Sequence, residues 1–448
     1  MWAAIMFGAA CFAGGLVLQK WVIVALVPLV ALVFLWPVEI SLGLFALLVP
    51  FDSIATIGSE SGGPTLTRAV GAAAGMILLM AAFGQRRLQR PPKAALWWGL
   101  FIAWGAITVL WAVDTQTAIE RLPTAASLFF LYLVAVSIRM TEKEVSRVVM
   151  MAIAGAVGAS LISIHTFISG GGVRSTLMSG SAEADPNFLA SALLLPFCLA
   201  AGEVLSERGG LRKLVMLVAA GIIALGILFT MSRGALLAVA VMVIVYFWQA
   251  EKKWRIFVPA FLVGGAVMFM PDRFFSRISG VVTDRGAGRL DIWIAGLHTL
   301  KHYFLQGAGI NNFANAYQFY AGEAPVFRGY NRASHDIYLG TAVELGVLGF
   351  VCLVMAFKAQ LKMPSGVSGE RGYSRLLPYR VACWGILAAG MFVDLLWSKQ
   401  FWLSWMLLAI AVRATSEARV SDPVLARSVQ PETEPMTAMP YWKVQGLR

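Results

Sequence analysis

The feature that most constrains this chain is its series of long apolar runs. They lie at roughly 2–18, 21–36, 39–52, 66–83, 95–113, 122–138, 147–168, 187–204, 213–230, 234–249, 255–270, 336–357, 380–396 and 401–413. A helix needs roughly 20 apolar residues to cross a hydrocarbon core about 30 Å thick. With no water there to pair the backbone, each run must satisfy its own amides as a helix. Only 13% of the 448 residues are charged and the mean hydropathy is +0.74, against about 25% charged in soluble domains. The expected fold is an all-α polytopic membrane protein with fourteen spans, or twelve if the shortest do not cross. Residues 2–18 read as a first membrane helix, not a cleaved leader.

Charge between the runs sets the orientation. Segments 84–94, 139–147, 206–213, 250–255 and 358–380 hold half of the 36 Lys and Arg residues, and they alternate with loops at 53–65, 114–121, 169–186, 231–233, 271–335 and 397–400. The excess of Lys and Arg on cytoplasmic loops then puts both termini inside and the second set outside. The net charge of +12 is spread over these short clusters, which argues against nucleic acid as a partner. Four cysteines, Cys11, Cys198, Cys352 and Cys383, all lie in apolar stretches and read as small buried hydrophobes. The chain divides into N-terminal spans (1–270), an outer loop (271–335), C-terminal spans (336–413) and a polar, disordered cytoplasmic tail (414–448).

The outer loop 271–335 departs from the positive-inside pattern, holding Arg273, Arg277, Arg285, Arg289, Lys301, Arg328 and Arg332. Loops beyond about 60 residues escape the charge rule. Arginines kept on that side suit an anionic ligand, or anionic headgroups of membrane lipids. Within the loop, 288–304 reads as an amphipathic helix at the membrane surface, with Leu290, Ile294, Leu297 and Phe304 at helical spacing. Arg289 opens it, where the helix dipole disfavours a cation and an anion would relieve the conflict.

Several polar residues stand where these loops meet the spans. His335, at the edge of the run 336–357, shares a helical face with Leu339, Ala342, Gly346 and Gly349; Glu344 faces nearly the opposite way. A histidine there is either an interfacial residue or a general base, its imidazole titrating near pH 6.5. Arg233, in the turn Ser232-Arg233-Gly234, either snorkels or holds phosphate. Arg174, Asp185 and Asn187 border the 169–186 loop; the last two cap a helix or line a sugar site. His298 and His302 have the i, i+4 spacing of a metal pair, but Lys301 intervenes and no further ligand stands out. No metal or cofactor is expected, and no nucleotide-binding motif is convincing.

With ADPNFLASALLL (184–195), MSRGA (231–235), GRLDIWIAGL (288–297) and SHDIYLGTAVELGVLG (334–349) in that order, the chain resembles the O-antigen ligase and O-antigen polymerase superfamily. The resemblance implies a metal-independent, inverting glycosyltransferase in the bacterial inner membrane, its active site facing the periplasm. Its donor would be a glycan on undecaprenyl pyrophosphate. The acceptor would be lipid A–core in a ligase or a second lipid-linked glycan in a polymerase. His335 would deprotonate the acceptor, Arg289 and Arg233 would bind the pyrophosphate, and Arg174, Asp185, Asn187, Arg332 and Asp336 would line the substrate site. Many relatives have Asn after the histidine where this chain has Asp336; contact between the two would raise the imidazole pKa. A transporter of lipid-linked glycans, or a scaffold without chemistry, are the competing functions. A transporter would carry cations deep within its spans, whereas here they gather in the outer loops.

Overall fold

The computed structural model describes residues 37–52, 66–170, 177–179, 182–183, 185–205, 209–250, 264, 286–362 and 370–420. The first two apolar runs, the run 255–270 apart from residue 264, Cys11, Arg174 and the tail beyond Val420 lie outside them. Among the described residues the regular structure is helical apart from one two-residue antiparallel ladder, Met178–Ser179 with Ala182–Glu183, and an isolated bridge between Leu88 and Ile138. The helices are α1 (Val38–Leu48), α2 (Leu66–Gly84), α3 (Lys93–Ile107), α4 (Thr115–Val136), α5 (Glu142–Ser169), α6 (Pro186–Leu205), α7 (Leu211–Phe229) and α8 (Arg233–Gln249). After the outer loop's α9 (Arg289–Tyr303) and α10 (Phe313–Tyr317) come α11 (Ile337–Leu361), α12 (Glu370–Ala389) and α13 (Lys399–Val420). Among the described residues, six helical segments are long and apolar enough to cross a membrane, with three shorter apolar helices beside them. The last helix runs past the boundary expected at 413.

The packing is that of a lipid-embedded bundle. Large apolar side chains such as Phe83, Leu96, Leu211 and Trp248 point outward, because hydrocarbon is as good a solvent for them as the core. Close helix contact comes from small residues. A Cβ on Gly155 of α5 would lie 2.1 Å from the Leu47 carbonyl of α1, and one on Gly202 of α6 would lie 2.3 Å from Pro378 Cγ of α12. A buried aromatic cluster, Trp98, Tyr132, Phe357, Phe401, Trp402 and Trp405, ties α3, α4, α11 and α13 together.

The two ends of the bundle differ. At the end carrying the short basic loops, Thr141 and Glu144 form a reciprocal capping box that starts α5, and Glu144 also accepts from Arg87 at 2.6 Å. Arg375–Glu142 and Arg212–Glu203 pairs lie at the same end. At the opposite end α11 is broken: Gly346 has φ 62° and ψ −167°. The freed groups are satisfied by protein, as an apolar medium demands. Ala308 and Gly309 N–H donate to the Val343 and Glu344 carbonyls at 2.8 Å, Val347 N–H donates to Phe304 O, and Trp104 Nε1 donates to Leu345 O.

Helix α9 packs through the face opposite its apolar stripe. Its buried face is Asp291, Ile292, Ala295, Gly296 and Thr299, set against α10 and α11. The apolar stripe expected to lie on the membrane, including Leu290, Leu297 and Phe304, is exposed. Small residues allow close approach to α11, where a Cβ on Gly296 would meet Leu339 Cδ2 at 2.9 Å; the larger ones are left facing out.

Candidate functional site

His335 is not on a helix. Helix α11 begins at Ile337 with Asp336 as its N-cap, whose Oδ1 accepts from Tyr338 N at 2.7 Å and Leu339 N at 2.9 Å. The face shared with Leu339 and Gly346 therefore does not exist for His335, which holds a left-handed backbone at φ 49°. An L-residue adopts that conformation at a cost, and such residues cluster at functional sites. The pattern repeats nearby: Met231, Ala287 and Asn331 are also left-handed, and each stands one or two residues before Arg233, Arg289 or Arg332.

The turn bearing His335 is fastened from three directions. Trp293 Nε1 of α9 donates to Ser334 O at 3.0 Å. Ile337 N donates to Gly390 O at 2.8 Å, and the His335 backbone N–H donates to Asp394. The Ser334 hydroxyl lies 2.9 Å from both Asp394 Oδ1 and the Asp336 carbonyl, its one proton shared between them. Helix α8 joins through Gly234, whose Cβ would lie 2.9 Å from Phe392 Cβ. That contact puts Arg233, its first residue, beside the turn that carries Asp394. The Ser232 hydroxyl caps α8 and donates to Asn187 Oδ1 at 2.8 Å, joining the starts of α6 and α8. Asp185 caps α6, its Oδ1 accepting from Asn187 N at 2.7 Å and its carbonyl from Leu189 N.

Burial pulls the His335 imidazole below its ordinary pKa; Asp394 and Asp185 oppose this, while Arg289 and Arg332 add to it. Four charged groups from separate parts of the chain thus bear on one imidazole, three of them among the residues singled out from sequence. The rise expected from Asp336 does not occur, because its carboxylate is turned to the helix start and burial dominates. Burial also raises the Asp394 pKa, with the Ser334 hydroxyl and His335 working against it. Arg332 is exposed, its Nε donating to the Arg328 carbonyl at 2.6 Å.

Helix α9 is anchored where Arg289 begins it. Arg328 donates to Asp291 Oδ2 from Nε at 2.8 Å and from Nη2 at 2.7 Å, and the Asp291 side chain is wholly buried. Gly288, at φ 79°, leaves room for that guanidinium: a Cβ there would lie 2.9 Å from Arg328 Nε. His302, one of the spaced histidine pair, stacks on Tyr320 with ring centroids 4.6 Å apart.

Beside Ser334 and Asp394 opens a cavity of about 390 Å³. It is lined from α4, α6, Asn311 and the start of α10, the first turns of α11 and the turn before α13, all at the end of the bundle that the loop-charge pattern puts outside. Glu344 lines it, accepting from Asn311 N at 2.9 Å and Phe313 N at 3.3 Å, while Arg121 grips Asn311 Oδ1 from Nε and Nη2. Glu344 thus turns to this loop instead of forming a dyad with His335. Asp394, Arg121 and Asn311 escaped the sequence reading. Asp394 was hidden because 380–396 reads as one apolar run; α12 in fact ends at Ala389, and a turn follows. An acidic residue inside an apparent span is itself a pointer to function, and that signal was available.

Residues 218–354 match the family model described as O-Antigen ligase. Over this segment the chain is similar to the O-antigen ligase family. The match covers under a third of the chain and spans Arg233, Arg289, Arg332 and His335. Asp185, Asn187, Arg121 and Asp394 fall outside it. No curated protein matches the chain.

Proposed function

We propose that the chain is a glycosyltransferase of the ligase type, passing a glycan from undecaprenyl pyrophosphate to lipid A–core on the periplasmic face of the inner membrane, with both termini cytoplasmic. The observation that carries this reading is His335: a part-buried imidazole whose pKa burial lowers, with Asp394 and Asp185 opposing that shift and Arg289 and Arg332 adding to it. Neutral imidazole is the form that accepts a proton. In the proposed step, His335 takes the proton of the acceptor hydroxyl as its oxygen attacks the anomeric carbon. The bond from that carbon to the pyrophosphate oxygen breaks, the configuration inverts, and undecaprenyl pyrophosphate leaves with its charge on Arg289 and Arg233. Stabilising charge where it develops is the larger share of such catalysis. Arg332 would add to the same field. Asp185 and Asn187 shape the entrance by capping α6 and joining it to α8, and Asp336 starts the helix behind the base. Arg174 would contribute from the 169–186 loop. No metal is assigned a role.

The test incubates purified full-length protein with lipid-linked glycan, with and without lipid A–core. Product on lipid A–core is the expected result; longer lipid-linked chains would make the protein a polymerase instead. Neither product would reject the transferase reading and favour transport. His335→Ala should insert normally and lose transfer, and full activity in that variant would remove the base from the mechanism.

A further inference from the structure

The cavity is lined by Ser334 and Asp394, which hold the His335 turn, and not by Arg233, Arg289 or Arg332. Its charged lining is Asp52, Glu344 and Asp394 against Arg121, and Asp52 is ion-paired with Lys399. With Arg121 and Lys399 set against the three carboxylates, this wall offers no excess of positive charge to hold a pyrophosphate. Its remaining surface is in part aromatic, with Phe188, Phe313 and Trp397, the Trp397 ring held by near-parallel stacking on Phe101. One further observation points to a ligand. Thr341, on the same wall, is 2% exposed, yet its hydroxyl has no hydrogen-bond partner among the described residues. A buried hydroxyl left unpaired is unfavourable, and an incoming polar ligand would satisfy it.

Resting on the transferase reading of His335, we infer that this cavity seats the acceptor's sugar: a neutral, hydroxyl-rich ring without a phosphate. Sugar hydroxyls donate to carboxylates and accept from Arg121 and the Gln400 amide, while the C–H face of a ring lies against aromatic carbon. The volume falls in the range of about 300–1,000 Å³ usual for small-molecule sites, room for a short saccharide and not for a lipid-linked chain. Donor and acceptor are thereby sorted by charge, pyrophosphate toward the arginines and neutral sugar toward the carboxylates. The acceptor hydroxyl meets the donor carbon at the imidazole between them.

The test has two arms on the full-length protein in lipid nanodiscs. In the first, Ala333→Cys at the exposed rim, in a Cys11→Ser background, is labelled by a small thiol reagent. Methyl glycosides at millimolar concentration should slow labelling several-fold, while inorganic phosphate and glucose 6-phosphate should not. Thr341→Val should lose this protection and Thr341→Ser keep it. Protection by no glycoside, or equal protection by phosphate, overturns the inference. In the second arm, Thr341→Val should raise the acceptor KM on the order of tenfold, the loss of one hydrogen bond, with the donor KM unmoved. Transfer with an unmoved acceptor KM would sink the sugar site and leave the transferase. Glycoside protection in a protein that transfers nothing would instead leave a sugar site and sink the transferase.

Discussion

Replacing Arg328 by methionine should loosen the start of α9 and with it the placement of Arg289. The Asp291 carboxylate is fully buried and takes two charge-assisted hydrogen bonds from Arg328, at 2.8 and 2.7 Å. Removing one partner of a buried pair costs about 3–5 kcal/mol, because the remaining charge has no compensation. The Arg328 side chain is 33% exposed, so water reaches the pair and the lower end applies, about 3 kcal/mol. At about 1.4 kcal/mol per tenfold, the opening equilibrium of this segment rises on the order of 100-fold. Amide hydrogen exchange across 290–299 in the full-length protein measures it, and those amides should exchange faster by that factor while α5 is unchanged. The double variant Arg328→Met, Asp291→Leu should recover most of the protection, since an apolar pair of similar volume replaces a buried ion pair at little cost. Exchange in Arg328→Met within threefold of the parent would refute the anchoring role.

The charges around His335 give opposite shifts in pH dependence. The base works when neutral, so activity falls as pH drops through its lowered pKa. Arg289→Gln removes a cation that holds that pKa down and should move the acidic limb of residual kcat/KM to higher pH. Asp394→Asn removes an anion that holds it up and should move the limb lower; shifts of the same sign in both would contradict the geometry. Gly307→Ala should destabilise by about 2 kcal/mol or more, given a φ of 77° and a Cβ 2.2 Å from the Glu344 carbonyl. Thermal unfolding followed by tryptophan fluorescence would show it as a lower midpoint, whereas Gly322→Ala, with nothing within 4 Å, should leave the midpoint in place.

Much of the molecule was legible without coordinates because a bilayer imposes simple rules. Apolar length set the helices, and charge between them set which loops share an end. Those loops do gather: the starts of α4, α6, α8, α11 and α13 meet the ends of α3, α5, α7 and α12 at one end of the bundle. His335, Arg289, Arg332 and Asp185 were singled out one by one from their places in loops, and their fields meet at the imidazole.

Other features depended on the tertiary fold. Helical spacing put His335 on α11, but Asp336 caps the helix first, since a carboxylate accepting two backbone N–H groups ends the chain's freedom to extend the turn. Hydropathy ran α12 through Asp394, because one charge among apolar residues barely moves an average; the turn is set by its fit against Ile337 and Gly234. The break at Gly346 likewise depends on donors from 308–309 and Trp104, up to 241 positions away. The sequence by itself determined a polytopic helical membrane protein and which residues could carry charge to one face. Only the tertiary structure decided which of them meet, because a site is made by contacts between segments far apart in the chain, and local periodicity carries no record of those.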